Sequence, residues 1–219
     1  MRTGSLRTAV LSGAVALGLF QAQPVLAADV DIVVDRRDGH IELFIATRAD
    51  GFVTAFDLPA GLLVQEDGSV DFAPLRQGTW EIGDALMSNV TVELQNGPVA
   101  FEAMSLMVHP LANAPPMTNP FEGLMAMSVC TVDTPATPLG LDGLQGYVGY
   151  IAYVEDSDGT LSLRLPQTGR GDLEVHVRDF VAGRPAATEV TLVPDGGVVS
   201  IGSTAADAPS PWVLGLFGF

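Results

Sequence analysis

The chain has no lysine among its 219 residues, and this absence excludes several classes of enzyme. A P-loop nucleotide-binding protein needs a lysine on the phosphates, and a pyridoxal enzyme needs one for its Schiff base. The Ser-x-x-Lys nucleophile of penicillin-binding enzymes is excluded on the same ground. The sequence also lacks the G-x-S-x-G, H-E-x-x-H and G-x-G-x-x-G motifs. These absences indicate a protein that is not an enzyme.

Cysteine is almost as scarce, because Cys130 is the only one. No disulfide can therefore form within the chain, and the fold must be stabilised by packing alone. A lone cysteine is more often a small buried hydrophobic residue than a nucleophile.

The amino-terminal residues predict a secretory signal peptide spanning residues 1–27. Arg2 and Arg7 precede an apolar run at residues 9–20, and small residues around Ala27 offer a cleavage point. The apolar run is too short to span a bilayer, so we expect no transmembrane helix. The mature chain would have 192 residues (219 − 27) and would be periplasmic or secreted from a bacterium.

The mature chain is strongly acidic. Removing Arg2 and Arg7 leaves eight arginines against 26 acidic residues, a net charge of −18 (8 − 26). Such a chain repels nucleic acid, so no nucleic-acid partner is expected. The charge serves solubility, and it leaves a cation or another envelope protein as the expected partner.

Short alternating segments separated by turns predict an all-β fold. Asp-Gly pairs recur, for example at residues 38–39, 50–51, 158–159 and 195–196, and such pairs suit tight turns. Leu173, Val175 and Val177 alternate with polar residues, as in an antiparallel sheet with one buried face. The predicted strands are residues 29–35, 41–47, 52–57, 90–94, 99–109, 125–130, 147–154, 160–165, 173–178, 189–193 and 198–201, with one short helix at 80–87.

We therefore predict a single antiparallel β-sandwich-like domain at residues 28–204, followed by a linker and an apolar tail at residues 205–219. Residues 212–219 (WVLGLFGF) resemble the last strand of bacterial outer-membrane β-barrels. The resemblance implies a small outer-membrane β-barrel. The alternatives are a final strand or plug on an exposed sheet edge, or a tail that donates a strand to a partner. Two loops are candidate recognition loops, namely residues 110–120, with four prolines and two asparagines, and residues 134–146, with prolines and glycines.

Five of the seven methionines lie between residues 104 and 130, together with His109 and Cys130. Read as strands, this segment places Met107 and His109 on one face, and Met125 and Met127 on one face of a second strand. Thioether and imidazole ligands suit Cu(I), so these four residues are a candidate copper site. Methionine also fills gaps in apolar cores, and a core role without any cofactor is the competing interpretation.

Two further polar segments have structural interpretations. Residues 155–159 (EDSDG) begin like a Ca²⁺-binding loop but lack its remaining ligands, so a solvated hairpin turn is expected. His176 alternates with Glu174 and Arg178 and is expected to lie in a solvent-side row of charges. The sequence as a whole indicates a non-catalytic binding or structural module of the bacterial envelope. A periplasmic copper-binding protein and a small outer-membrane β-barrel are the alternatives.

Overall fold

The structure is a computed structural model that describes residues 30–70, 72, 75, 78–95, 97–128 and 138–202. The signal peptide predicted at residues 1–27, Cys130 and the tail at residues 205–219 lie outside the described residues, so their assignments stay predictions.

Ten strands and three α-helices have bounds within the described residues. They are β1 (Val30–Arg37), β2 (His40–Arg48), α1 (Ala49–Thr54), α2 (Thr79–Ser88), β3 (Thr91–Leu94), β4 (Gly97–Pro98), β5 (Glu102–Pro110), α3 (Pro120–Ser128), β6 (Leu144–Tyr153), β7 (Leu161–Arg164), β8 (Leu173–Val181), β9 (Arg184–Val193) and β10 (Val198–Ile201). No helix in this part of the chain is long and apolar enough to cross a membrane.

The strands form two sheets that pack together, which confirms the predicted sandwich-like all-β fold. The larger sheet has the strand order β5-β6-β2-β1-β8-β9, and the smaller has the order β10-β7-β3-β4. Neighbouring strands are antiparallel except β1 and β8, which run parallel. The prediction of a purely antiparallel fold missed this pair, because alternation within a strand does not reveal its neighbour's direction.

The main core lies between the two sheets. The face of the larger sheet that points to the smaller one, here called the inner face, contributes Ile32, Leu43 and Val148. Val92 and Leu163 of the smaller sheet pack into the same core. The predicted alternation in β8 is confirmed, since Val175 and Val177 join this core while the intervening residues lie on the opposite face.

That opposite face of the larger sheet, the outer face, is partly covered by α3 and by the segment that precedes it. Val33, Phe44 and Tyr147 form a second apolar cluster there with Met117 and Met127. The larger sheet is therefore buried on both faces near its centre.

The predicted strand at residues 52–57 is wrong, because the chain forms α1 there. Ala49, Phe52 and Phe56 are all buried, and their spacing of three and four residues is helical. The Phe52 and Phe56 rings meet edge to face with centroids 6.2 Å apart. The Asp50-Gly51 pair thus lies inside a helix and forms no hairpin turn.

The predicted strand at residues 125–130 is also wrong as far as it is described, because residues up to 128 belong to α3. The start of this helix has recognisable signals. Pro120 is its first residue, and the side-chain oxygen of Asn119 accepts the N–H of Glu122 at 3.0 Å. The Glu122 carboxylate in turn accepts the N–H and hydroxyl of Thr118, both at 2.7 Å. This resembles a capping box with proline at the first helical position, except that Glu122 reaches the residue before the N-cap, Thr118.

Two smaller corrections concern loops. Residues 155–159 do not form a hairpin, because β6 belongs to the larger sheet and β7 to the smaller one. The loop predicted at 134–146 is described from residue 138 and ends earlier, since β6 begins at Leu144. The short helix predicted at residues 80–87 is confirmed as α2.

A buried arginine joins the two sheets. Arg36 of β1 is 4% exposed, and its Nε donates to both carboxylate oxygens of Asp179 in β8, at 2.9 and 3.2 Å. Its Nη1 donates to the carbonyls of Ser157 and Gly159, both at 2.8 Å, and its Nη2 to the carbonyl of Ile201 at 3.0 Å. One side chain therefore holds the larger sheet, the crossover loop and the end of β10 together.

We expect replacement of Arg36 by Met to lower the free energy of unfolding by about 3–5 kcal/mol, because Asp179 would be left buried without its partner. Replacing Asp179 by Leu in the same chain should recover part of that loss. The control is Arg48→Met, which breaks the exposed pair with Asp50 and should cost at most about 1 kcal/mol. Urea unfolding of the variants measures all three changes. Equal losses for Arg36→Met and Arg48→Met would contradict the role of the buried pair.

Candidate functional site

The residues of the predicted copper site are only partly brought together. Met107 and His109 lie on the outer face of β5, where Met107 packs against the second apolar cluster. Met127 of α3 is buried in the same cluster. Met125 is 49% exposed, because two residues along a helix correspond to a rotation of about 200°. The predicted pairing of Met125 with Met127 on one face assumed a strand and is wrong.

His109 lies under α3. Its Nε2 is 2.8 Å from the carbonyl oxygen of Ala126, and its ring meets that of Tyr147 edge to face at 5.4 Å. A carbonyl oxygen only accepts, so Nε2 carries the proton and Nδ1 is the ring nitrogen that could bind a metal. No group of three or more His, Cys, Asp or Glu suited to a metal ion occurs in the described part of the chain.

Met127 reaches the sheet where a glycine makes room for it. A Cβ atom built on Gly149 of β6 would lie 2.4 Å from the Met127 sulfur, so any side chain at position 149 would displace the methionine. The Tyr147 hydroxyl donates to the Pro115 carbonyl at 2.5 Å and fixes the segment that leads into α3. Burial, with a smaller contribution from the Asp31 carboxylate, raises the pKa of Tyr147, so its hydroxyl keeps the proton that this bond needs.

A row of charges continues the outer face beyond this cluster, as predicted for His176. Arg178 pairs with Asp31 at 2.7 Å, and His176 lies 3.2 Å from Glu174 and 3.8 Å from Asp31. Each of these four side chains has a partner of opposite or switchable charge. The row is a partly solvated ionic surface between the apolar cluster and β9.

Strand β9 is the edge of the larger sheet in the part of the chain that the structure describes. It is ten residues long, and eight of those residues are exposed. Val190 and Leu192, on its outer face, are 58% and 68% exposed. A long edge strand with exposed apolar side chains presents unpaired N–H and C=O groups that another strand can use. Within the described residues, the edge of β9 is therefore open to pairing with another strand.

The start of β9 is fixed by a tight turn. Ala182 and Gly183 both have positive φ, +50° and +73°, as in the two-residue hairpin turns that match the twist of the flanking strands. The Ala182 N–H donates to the Arg36 carbonyl at 2.8 Å, and the Gly183 N–H to the buried Asp35 carboxylate at 2.9 Å. The turn is thus tied to β1.

The other end of β9 is fixed by Asp195, two residues after the strand. Its carboxylate accepts the N–H of Thr168 at 2.9 Å and that of Gly169 at 2.8 Å. These bonds, the one from Thr168 first, hold the pKa of Asp195 below its usual range. With both ends held, the edge of β9 is preformed and needs little ordering before it pairs with another strand.

A groove of about 430 Å³ lies beside β9, on the inner face of the sheet. Ala187 and Glu189 of β9 line it, and β10 lines it from the smaller sheet with Ser200 and Ile201. The groove thus separates two sheet edges. Its base is set by Asp179, the carboxylate that Arg36 holds.

The sequence predicts the second half of β9, residues 189–193, but it does not predict that this strand lies at the edge of the sheet. Alternation separates Val190 and Leu192 from Thr191 and Val193, which by itself suggests a buried apolar face for the first pair. The parallel pairing of β1 with β8 instead places β9 at the edge of the sheet. The outer face of the preceding strand β8 carries the polar residues Glu174, His176 and Arg178. This polar face is the sequence feature that could have indicated that Val190 and Leu192, on the same face of β9, are exposed.

We expect Asp195→Asn to weaken the anchor at the end of β9. The amides of Thr168 and Gly169 should exchange several-fold faster with deuterium, because a neutral amide offers one acceptor oxygen where the carboxylate has two. A group whose pKa is lowered by folding stabilises the fold above its unfolded pKa. The wild-type protection should therefore hold at neutral pH and fall as the pH drops below about 4 through the lowered pKa. Asp172→Asn, in the same exposed loop, is the control, and equal exchange in both variants would contradict the anchor.

The described residues offer three features from which a function can be inferred: the edge of β9, the groove beside it and the second apolar cluster on the outer face. No protein-family model and no curated protein sequence matches the chain. Any proposal for its function therefore depends on these surfaces themselves.

Proposed function

We propose that this protein is an exported, non-catalytic binding module of the bacterial envelope that takes an extended peptide strand on the open edge of β9. The observation that carries the proposal is the ten-residue edge strand, exposed along most of its length and anchored at both ends. Export is supported by the signal sequence at residues 1–27.

Strand addition is a common way of recognising peptides. The main-chain hydrogen bonds of the edge supply affinity, and side-chain contacts on the two faces supply specificity. At β9 the outer face offers Val190 and Leu192, and the inner face offers the groove. A strand added here would cover the exposed apolar pair and close the open side of the groove.

The edge is protected at one end only. Proteins usually protect edge strands with proline, lysine, bulges or short length. Here Arg184 and Pro185 begin the strand, and the register shifts opposite them between Asp179 and Phe180. Residues 186–193 have only Glu189 as a charge. The protected end defines where an added strand must stop, and the remaining eight residues define its length.

The charge of the mature chain limits what this strand can be. With a net charge of −18, the chain repels acidic peptides, and Glu189 lies in the groove beside the edge. The expected ligand is an apolar peptide of about eight residues that is uncharged or weakly basic.

The test is selection of random eight-residue peptides on the mature chain. A parallel selection uses the mature chain with Leu214→Asp and Phe217→Asp. These two charges in the apolar tail at residues 205–219 prevent it from competing with the peptides for the edge of β9. Selected peptides should slow deuterium exchange at residues 186–193. We expect them to bind Val190→Lys/Leu192→Lys at least about tenfold more weakly, a loss of about 1.4 kcal/mol, because lysines protect edge strands.

The control is Tyr153→Lys, which adds a lysine to an exposed residue of β6 and should leave peptide affinity unchanged. Peptides that protect other strands, or that bind the double lysine variant as tightly as the wild type, would overturn the proposal. So would a selection that enriches no peptide with either chain.

A soft-metal site is the second candidate, because Met107, His109 and Met127 lie around one buried cluster. Thioether sulfur and imidazole nitrogen are ligands that Cu(I) favours, and the proton on Nε2 leaves Nδ1 of His109 for the metal. In this candidate the protein would handle copper in the periplasm, and Met125 would take no part.

The structure makes this copper proposal testable with matched variants. Met127→Leu should abolish Cu(I) binding measured against a competing chelator, whereas Met125→Leu, at an exposed position of the same helix, should retain it. Leucine is close to methionine in volume, so both variants should keep their stability within about 1.5 kcal/mol. Equal Cu(I) affinity of the two variants would count against the site.

A further inference from the structure

The apolar segment at residues 212–219 has no place in the function proposed above, although it follows β10 closely in sequence. We propose that this segment is the resident strand on the open edge of β9 in the same molecule, so that an external peptide must displace it. The inference rests on the proposed function, because it requires that β9 accepts a strand.

The first argument is the pattern of the segment. Trp212, Leu214 and Leu216 have one parity, and Val213 and Phe217 have the other, so the segment is apolar on both faces. Strands that are buried on both faces show this continuous apolar pattern, whereas half-exposed strands alternate.

The edge of β9 is a matching site because it presents apolar side chains on both sides, although the groove side also carries the Glu189 carboxylate. Val190 and Leu192 are exposed on the outer face. The inner face presents the groove, with Ala187 on its near side and Ile201 on its far side. A strand that is apolar on only one face would leave either the Val190–Leu192 pair or the groove without an apolar partner.

Length and charge fit as well. The part of β9 beyond Arg184 and Pro185 has eight residues, and the segment at residues 212–219 also has eight. The segment has no charged side chain, so none of its side chains is repelled by a molecule of net charge −18.

The connection is long enough and begins at the site. Gly202, the last described residue, lines the groove itself. Residues 203–211 then provide nine residues, which span up to about 30 Å when extended. That reach is close to the length of β9, so the segment can align along the edge. A tether of this length gives an effective concentration in the millimolar range, which favours pairing within one molecule.

The conformation at the exit from β10 is constrained. Gly202 has φ = +84°, and a Cβ atom there would lie 2.5 Å from Nη2 of Arg36. No larger residue fits without displacing the arginine that joins the sheets. The path of the chain out of β10 is therefore limited by Arg36, the side chain that also holds Asp179 in the lining of the groove.

The test is deuterium exchange of the full mature chain. In the wild type, the amides of residues 186–193 should be protected. Leu214→Asp/Phe217→Asp should raise their exchange at least about tenfold, because charged side chains cannot cover the two apolar faces. Strand β5, the opposite edge of the larger sheet, is the internal control. Ala206→Asp/Ser210→Asp adds the same charge within the tether and should leave β9 protected.

Peptides selected on β9 extend the test. They should bind the Leu214→Asp/Phe217→Asp chain at least about tenfold more tightly than the wild type, because no resident strand competes. Equal exchange and equal peptide affinity in both chains would overturn this inference. If Val190→Lys/Leu192→Lys still abolished peptide binding, the function proposed for β9 would stand. Protection that rises with protein concentration would place the strand of a second copy on β9, and that result would overturn the assignment within one molecule.

Discussion

The Arg36–Asp179 pair is the interaction on which the rest of the structure depends. A guanidinium offers five donors in a fixed plane, and Arg36 uses them toward a carboxylate, a crossover loop and the end of β10. Burying these charges is costly, and the cost is offset because the carboxylate and three carbonyl groups accept from the arginine. The length of the Arg36 side chain therefore sets the distance between the two sheets on this side of the sandwich. The same distance sets the width of the groove beside β9.

This arrangement also explains why the edge of β9 is anchored at both ends. The turn before β9 is bonded to β1 through the Arg36 carbonyl and the Asp35 carboxylate, one residue apart in sequence. The strand after the turn therefore starts from a fixed point, and Asp195 fixes its other end. A preformed edge loses little conformational entropy when a strand binds, so backbone hydrogen bonds and apolar contacts can contribute more of their free energy to affinity.

Much of the fold could be predicted from alternation and turn chemistry, and the failures have physical causes. Strands such as β3 and β8 follow from period-two patterns, because local sequence determines which face is buried. Both incorrect strands were helices of short length. At Phe52 and Phe56 the helical spacing was present but covered only one turn. At α3 the signals at Thr118, Asn119 and Pro120 preceded a methionine-rich run that suits either structure. The site was harder to predict, because the edge position of β9 depends on a parallel pairing and the role of Arg36 on partners more than 120 residues away.

The absence of lysine has a consequence for the edges of the sheets. Lysine is the residue with which proteins most often protect an edge strand, since its long charged side chain blocks pairing and remains solvated. This chain has only arginine as a strong base, and in β9 its single arginine stands at the first position, next to Pro185. The register shift next to Pro185 leaves Ala186 as a bulge, and residues 187–193 beyond it have neither a basic side chain nor a further bulge. A protein that left such an edge open would tend to pair with any extended chain it met. A resident strand on β9, released only by a better ligand, would remove that hazard and preserve the edge for binding.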